Sequence, residues 1–267
     1  MSTSRWLDLD GVVNMRDVGG IPTSDGGAVA PRRLLRSDNL QELSEAAVRH
    51  LVDEVGVTDI IDLRTEVEVH LEGAGPLRAQ PLTHHHHSLI RETTPDDADP
   101  GDTAARALVV PWSKRSGRPA PPKRDDDFWA SHYLGYLADR PESVSAALHA
   151  VAGSTGAAIV HCAAGKDRTG TVVGLALSVA GVADDDIVAD YVATGERLDA
   201  IVERLLSRPT YSEALRDQPR THQLPRPETM QRILTVLRER HGGAAGWLGE
   251  HGWSQAQVQR LRDKLLA

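Results

Sequence analysis

The chain has 267 residues, of which 40% are apolar, 25% charged and only 4% aromatic, and it carries a formal net charge of -8. That length and apolar fraction suffice for a substantial core, while the acidic balance and scarce aromatics exclude a global basic field or a stacking platform for nucleic acid. The single cysteine permits no internal disulfide, residues 1–14 hold no apolar signal-peptide core, and the longest mostly apolar stretch, 170–183, is too short for a membrane span, so the expectation is a cytoplasmic location without stable membrane insertion, export by a non-classical route being left open.

In chain order, Asn14-Met15-Arg16-Asp17-Val18-Gly19-Gly20 is followed by Pro22 and Asp25-Gly26-Gly27, all turn chemistry, and leads into Leu34-Leu35-Arg36-Ser37, a predicted strand. Arg16 and Asp17 are read as fixing the N-terminal segment against the sheet, with a substrate role as the second reading. Ser44 is placed to cap a helix with Val48, Leu51, Val52 and Val55 at helical spacing, Leu43 and Val48 making a staple and Gly56 ending it. Residues 57–63 form a largely buried strand, and Thr65 with Glu68 then makes a capping box, which gives Glu68 a structural task. Asp62 and Arg64 stand at the carboxyl end of that strand, where α/β sheets gather function, either as an ion pair holding loops or as direct participants.

The four histidines 84–87 invite a metal. Adjacent residues in extended chain point to opposite faces and do not easily build one tetrahedral site, so no metal is expected and the run reads as a loop or strand end beside the cleft. Residues 91–126 hold six prolines and a basic cluster (Lys114, Arg115, Arg118, Lys123, Arg124) running into Asp125-Asp126-Asp127, and read as a flexible insertion, its cations solvated or facing anionic groups. Helices are predicted over 128–139 and 141–152, with Pro141 in a first turn. After a strand at 157–160 and a helix over 169–180, Asp184 is placed to cap a long helix reaching Leu206 and kinked at Gly195. Residues 207–227 contain four prolines, so about 184–227 reads as a movable helical lid or as a fixed hairpin. The tail is helical, with Met230, Ile233, Leu234 and Leu237 on one face and a last helix starting at Ser254, boxed by Gln257 and stapled by Trp253 and Val258.

Everything turns on His161-Cys162-Ala163-Ala164-Gly165-Lys166-Asp167-Arg168-Thr169-Gly170, between a buried strand and an apolar helix. At such a junction successive backbone N–H groups curl around an anion, and the helix dipole favours negative charge. The same setting favours the ionised, nucleophilic form of a thiol, which makes Cys162 a candidate nucleophile. Arg168 follows six positions later, so one loop turn brings its guanidinium fork beside the sulfur to hold two oxygens of a phosphoryl group. The phosphate-binding set read from this loop is Ala163, Ala164, Gly165, Lys166, Asp167 and Arg168.

These residues resemble the Cys-x5-Arg signature of the protein tyrosine phosphatase superfamily. More narrowly, His-Cys-x-x-Gly-Lys-Asp-Arg-Thr-Gly is similar to the loop of the bacterial tyrosine and phosphoinositide phosphatases of the mycobacterial PtpB and listerial LipA type. The Asn-x-Arg-Asp-x-Gly-Gly of 14–20, the Arg-Ser-x-x-Leu of 36–40 and the Asp-Leu-Arg-Thr of 62–65 agree with it. The resemblance implies a cysteinyl-phosphate intermediate, a Thr169 hydroxyl steadying the thiolate, a cation at Lys166 near the rim, a helical lid, and Asp167 inside the loop as general acid. From the residues alone, Asp62 and Asp125 to Asp127 are rivals for that last role. His161 is read as ordering the loop. No cofactor is required.

The expected substrate is phosphotyrosine in proteins, with phosphoserine, phosphothreonine or phosphoinositides as extensions. Kept beside this are a small-molecule phosphomonoesterase and a non-catalytic phosphate-binding module; the latter has no use for the nucleophile. The expected architecture is one α/β phosphatase domain over 1–267, three layers with a central, mostly parallel sheet of about four or five strands flanked by helices.

Overall fold

The computed structural model describes residues 5–92 and 126–267, so the expected insertion lies outside the described residues over 93–125. The sheet comprises β1 (Arg16–Asp17), β2 (Leu34–Ser37), β3 (Val57–Asp62), β4 (Thr83–His86) and β5 (Ala157–His161), in the spatial order β1-β2-β5-β3-β4. Four strands are parallel and only the edge strand β1 is antiparallel to its neighbour. β5 lies in the middle and every residue of it is buried, which is why its sequence is an apolar run rather than an alternation.

Side chains alternate across the pleat. Leu34, Ile61, Ala158 and Val160 join a large apolar cluster on one face, and Leu35, Ile60, Ala157 and Ile159 join a smaller one on the other. The small layer is closed by α1 (Glu45–Arg49) and the N-terminal segment around Met15. On the large side lie α3 (Asp126–Asp139), α4 (Pro141–Gly153) and α5 (Asp167–Ala180), followed by α9 (Pro227–His241), α10 (Ala244–Glu250) and α11 (Gln255–Leu266). This is the expected α/β layering around a mostly parallel sheet.

Local signals hold where they are chemically explicit. Ser44 Oγ caps α1, and the Thr65–Glu68 box opens α2 (Glu66–Glu72) with both reciprocal bonds present, as does Ser254–Gln257 at α11. The helix expected over 44–55 changes after Arg49 to a wider π-helical winding over His50–Val55, closed by Gly56 at φ 77°. The long helix expected over 184–206 is instead α6 (Asp184–Ala193), a 3-10 turn at Thr194–Arg197 containing Gly195, and α7 (Leu198–Leu206). Ala183, not Asp184, is its N-cap; Asp184, Asp185 and Asp186 fill the first turn, where the helix dipole favours carboxylates. Pro209 does not end the helical region but begins α8 (Pro209–Leu215), because proline fits a first turn that needs no N–H donor. A further 3-10 turn follows at Arg220–Gln223.

The histidine run occupies β4 and the residue after it. Each of the three strand histidines has its own partner: His84 Nε2 with Leu77 O (3.3 Å), His85 Nε2 with Asp59 Oδ1 (2.8 Å) and His86 Nε2 with Arg64 O (2.7 Å). Among the described residues no helix is long and apolar enough to cross a membrane.

Candidate active site

At the carboxyl end of the central strand the chain leaves β5 at His161, passes through residues 162–166 and enters α5 at Asp167, with Lys166 as an N-cap that makes no side-chain capping bond. The first-turn amides of a helix have no intrahelical acceptor. In the loop before it, the N–H groups of residues 163–166 likewise have no hydrogen-bond acceptor among the described residues. The result is a row of N–H donors at the positive end of a 14-residue helix, beside Cys162, which is 2% exposed. Gly165 has φ 66°, and a Cβ there would lie 2.5 Å from Ser37 O, so only glycine lets the loop pack on the end of β2.

Arg168, in the first turn of α5, is pinned end-on. Its Nη1 donates to Glu68 Oε2 at 2.6 Å and its Nη2 to Glu68 Oε1 at 2.9 Å, with a longer contact from Nη1 to Leu63 O at 3.4 Å. Guanidinium has five N–H donors, so Nε–H and the second Nη2–H, which lie along one edge, keep no partner among the described residues. Two parallel donors on one edge suit two oxygens of a phosphoryl group. Burial opposes the positive charge of Arg168, but Glu68 and Cys162 outweigh it and raise its pKa well above the ordinary value.

Glu68 is the residue whose task the sequence understated. Besides closing the capping box through Thr65 N (2.8 Å), it binds both terminal nitrogens of Arg168 and accepts from Tyr211 Oη of α8 at 3.1 Å. Burial pushes its carboxyl up, and the charge and hydrogen bonds of Arg168 more than reverse that. The box was visible in sequence, but the partner 100 residues away was not.

Asp62 and Arg64 form the ion pair that was one of their two readings. Asp62 Oδ1 accepts from Arg64 N (3.0 Å) and Nε (2.9 Å), and Oδ2 from Nη2 (2.5 Å), while Arg64 Nη1 reaches Asn39 Oδ1 at 3.0 Å. Burial raises the Asp62 carboxyl, yet His161 and Arg64 together hold it well below the usual carboxylate range. His161 sits 3.7 Å from Asp62 through Nε2, and burial, only partly offset by Asp62, lowers its pKa to about 4. It is therefore neutral near pH 7, in keeping with an ordering role.

The other expected residues divide. Thr169 Oγ1 is buried beside the loop and has no hydrogen-bond partner among the described residues. Lys166 is engaged by neighbouring elements: Nζ donates to Gln223 O at 2.7 Å and lies 5.2 Å from the Trp129 ring centre. Asp167 retains 24% side-chain exposure, and its Oδ1 accepts from Tyr133 Oη, which also meets Tyr191 Oη at 2.9 Å. Of the rival carboxylates, Asp125 lies outside the described residues, and Asp126 and Asp127 open α3. Tyr133 and Tyr211 carried no motif in the sequence; isolated tyrosines in helices are indistinguishable from core residues until their hydroxyls find partners.

Residues 198–223 cover one side of the loop. Leu198, Ile201, Val202 and Leu205 of α7 face Ala164 and Lys166 across a narrow apolar cleft. Arg204 donates to Asp38 Oδ2 (2.9 Å) and Asn39 O (2.8 Å), and Arg208 to Glu72 Oε2 (2.6 Å).

Comparison with known proteins adds independent findings. A family model described as the tyrosine phosphatase family matches residues 7–267. The chain is 30% identical over 284 aligned positions to the triple specificity protein phosphatase PtpB of Mycobacterium tuberculosis, covering 97% of this chain and 98% of that protein. It is 33% identical over 115 positions to a tyrosine-protein phosphatase of Nostoc commune, covering 41% of this chain and 39% of that one.

Proposed function

The chain belongs to the tyrosine phosphatase family, a phosphoric monoester hydrolase of the cysteine-dependent kind, and from that premise we propose that Cys162 is its nucleophile and residues 162–168 its phosphate loop. One observation carries the assignment: loop amides and an edge of Arg168 that have no partner among the described residues belong to the same seven residues as the only cysteine in the sequence. Cys162 Sγ attacks phosphorus in line with the leaving oxygen. Amides 163–168 and Arg168 hold the equatorial oxygens as charge redistributes, in a site where such donors need no reorganisation. Water then attacks the cysteinyl-phosphate, and the thiolate leaves with inorganic phosphate as the second product. Thr169, with a buried hydroxyl that has no other partner among the described residues, steadies the thiolate.

Asp167 gives its proton to the leaving oxygen and later takes one from the attacking water. Its partial exposure supports this, as does the commitment of Asp62 to Arg64. Its Tyr133 hydrogen bond occupies Oδ1 and leaves Oδ2 for the proton. The preferred substrate is phosphotyrosine in proteins, extending to phosphoserine, phosphothreonine or phosphoinositides, a breadth in line with the triple-specificity relative. The whole chain is one phosphatase domain, and 184–227 is its helical lid, a reading supported by the Tyr211–Glu68 and Lys166–Gln223 bonds.

A release assay over phosphopeptides, phosphoinositides and metabolite phosphates, run with chelator and with Cys162→Ser as the blank, tests the proposal. Phosphotyrosyl peptides are expected to be the best substrates. Activity that survives Cys162→Ser, or that is confined to metabolite phosphates, would refute it.

A further inference from the structure

Three consecutive carbonyls of the loop are held from outside. Asn39 N–H donates to Ala163 O at 3.1 Å, Asn14 Nδ2 to Ala164 O at 2.9 Å and Arg36 Nη2 to Gly165 O at 2.8 Å. In a trans peptide the C=O of one residue and the N–H of the next point to opposite sides. Pinning these carbonyls outward therefore turns the N–H groups of Ala164, Gly165 and Lys166 inward. Such a loop has no ladder of its own to set its peptide planes, and Gly165 loosens it further.

The outer donors are fixed in turn. Asn14 Oδ1 accepts from Arg16 Nη1 at 2.7 Å, and Asn14 N donates to Asp38 Oδ1 at 3.0 Å. Arg16 Nε and Arg36 Nη1 share Asp190 of α6, at 3.2 Å and 2.6 Å to its two carboxylate oxygens. Arg16 Nη2 also binds Asp190 O at 2.7 Å and Thr194 Oγ1 at 3.0 Å, and Arg5 adds a third guanidinium to Asp190 at 3.0 Å. Asn14, Arg16, Arg36 and Asp190 are at most 1% exposed. Burial raises the Asp190 carboxyl, and the three arginines reverse this and hold it well below its ordinary range. A buried ion pair kept for stability alone is readily replaced by apolar residues without loss. Here two fully buried cations share one anion, and from this cluster one polar chain runs through Arg16 and Asn14 to Ala164 O while Arg36 reaches Gly165 O directly.

Building on the reading of 162–168 as the phosphate loop, we propose that Asn14 and Arg36 are positioning residues for phosphoryl transfer, holding the Ala164 and Gly165 carbonyls outward so that the loop amides are aimed at the phosphoryl oxygens before substrate arrives, with Asp190 fixing both through Arg16 and Arg36. Pre-aimed donors favour the transition state over the bound ester, so loosening them lowers kcat more than it raises KM. This accounts for the Asn-x-Arg segment at 14–16 and for Arg36, which the reaction itself leaves without a task.

The test uses the full chain with Asn14→Ser, which removes the donor without adding charge, and Arg36→Lys, which keeps the charge but loses the fork. Inorganic phosphate binding is measured by calorimetry in a Cys162→Ser background, and kcat and KM with an aryl phosphate. Each variant is expected to remain folded, to weaken phosphate binding by about two- to threefold, in step with KM, and to lose about 10–100-fold in kcat. Folded variants with unaltered phosphate affinity and kcat would overturn the proposal. So would failure of both to fold, since the residues would then support the whole fold rather than the loop. If the unsubstituted chain neither binds phosphate nor hydrolyses the ester, the reading of the loop falls and this inference with it; normal activity there with no effect of either variant removes this inference alone.

Discussion

Two buried carboxylates stand behind the proposed phosphate loop, and they are used in opposite ways. Glu68 meets one guanidinium end-on, and its remaining lone pairs go to Thr65 N and Tyr211 Oη. Asp190 gathers three, and two of these, with Asn14 between, lead to the outer carbonyls of the loop. The first arrangement aims a cation, because fixing one end of Arg168 leaves its other edge free. The second aims backbone dipoles, because Arg36 directly, and Arg16 through Asn14, are engaged with carbonyl oxygens of the loop. A charge and a row of amides in one small site thus take their orientation from different elements, α2 for the one and α6 for the other.

Variants on each side break or sharpen this contrast. The largest effect is expected from Arg168→Lys, which keeps a cation for Glu68 but loses the second edge: kcat should fall about 10³-fold, read by steady-state kinetics, with little change in melting temperature. Next is Glu68→Gln, which leaves a buried guanidinium without its anion and should cost about 3–5 kcal/mol in urea unfolding together with activity. If Glu68→Gln lost stability and kept kcat, the idea that Glu68 aims Arg168 would be wrong.

Acid titration gives a third, intermediate effect with a defined sign. Glu68 and Asp190 have lowered folded pKa values, so the stability they contribute is present above the ordinary carboxylate range and is lost as pH falls through their lower folded values. His161 adds a separate window. Its pKa falls from 6.5 to about 4, so between these values the unfolded chain binds a proton that the folded chain does not, and stability declines as pH is lowered from 6.5 to 4. That window corresponds to roughly 3 kcal/mol at most, and His161→Gln should flatten the decline in melting temperature across it. A slope unchanged by the substitution would show that His161 is not the group responsible. The smallest effect is expected for Tyr211→Phe, which removes one hydrogen bond to Glu68 and should cost about 1 kcal/mol in chemical unfolding.

Much of the site was legible because the chemistry is contiguous. Cys162 to Arg168 is one loop and the first helical turn after it, and a buried strand before and an apolar helix after are enough to place it at the end of a parallel sheet. Capping boxes at Thr65 and Ser254 were legible for the same reason, since donor and acceptor lie three residues apart. The interruption of the long helix at Thr194–Arg197 was marked in sequence by Gly195 as a kink, but not as a 3-10 turn separating two helices. The sequence there, Thr-Gly-Glu-Arg, interrupts the apolar spacing, but what fixes the turn is distant: Thr194 is held by Arg16, 178 residues away in sequence.

Sequence alone determined the reaction type, the nucleophile and arginine candidates and the layered α/β class, because these follow from local spacing and local apolar pattern. Tertiary structure decided which charges meet: that Glu68 serves Arg168 as well as its own helix, that Asp62 is committed to Arg64, that Lys166 turns to Gln223, and that Asn14 and Arg36 reach the loop's outer carbonyls. The physical reason is that a buried charge must be paired to remain charged, and the chain supplies the partner from wherever the fold brings one within hydrogen-bond reach.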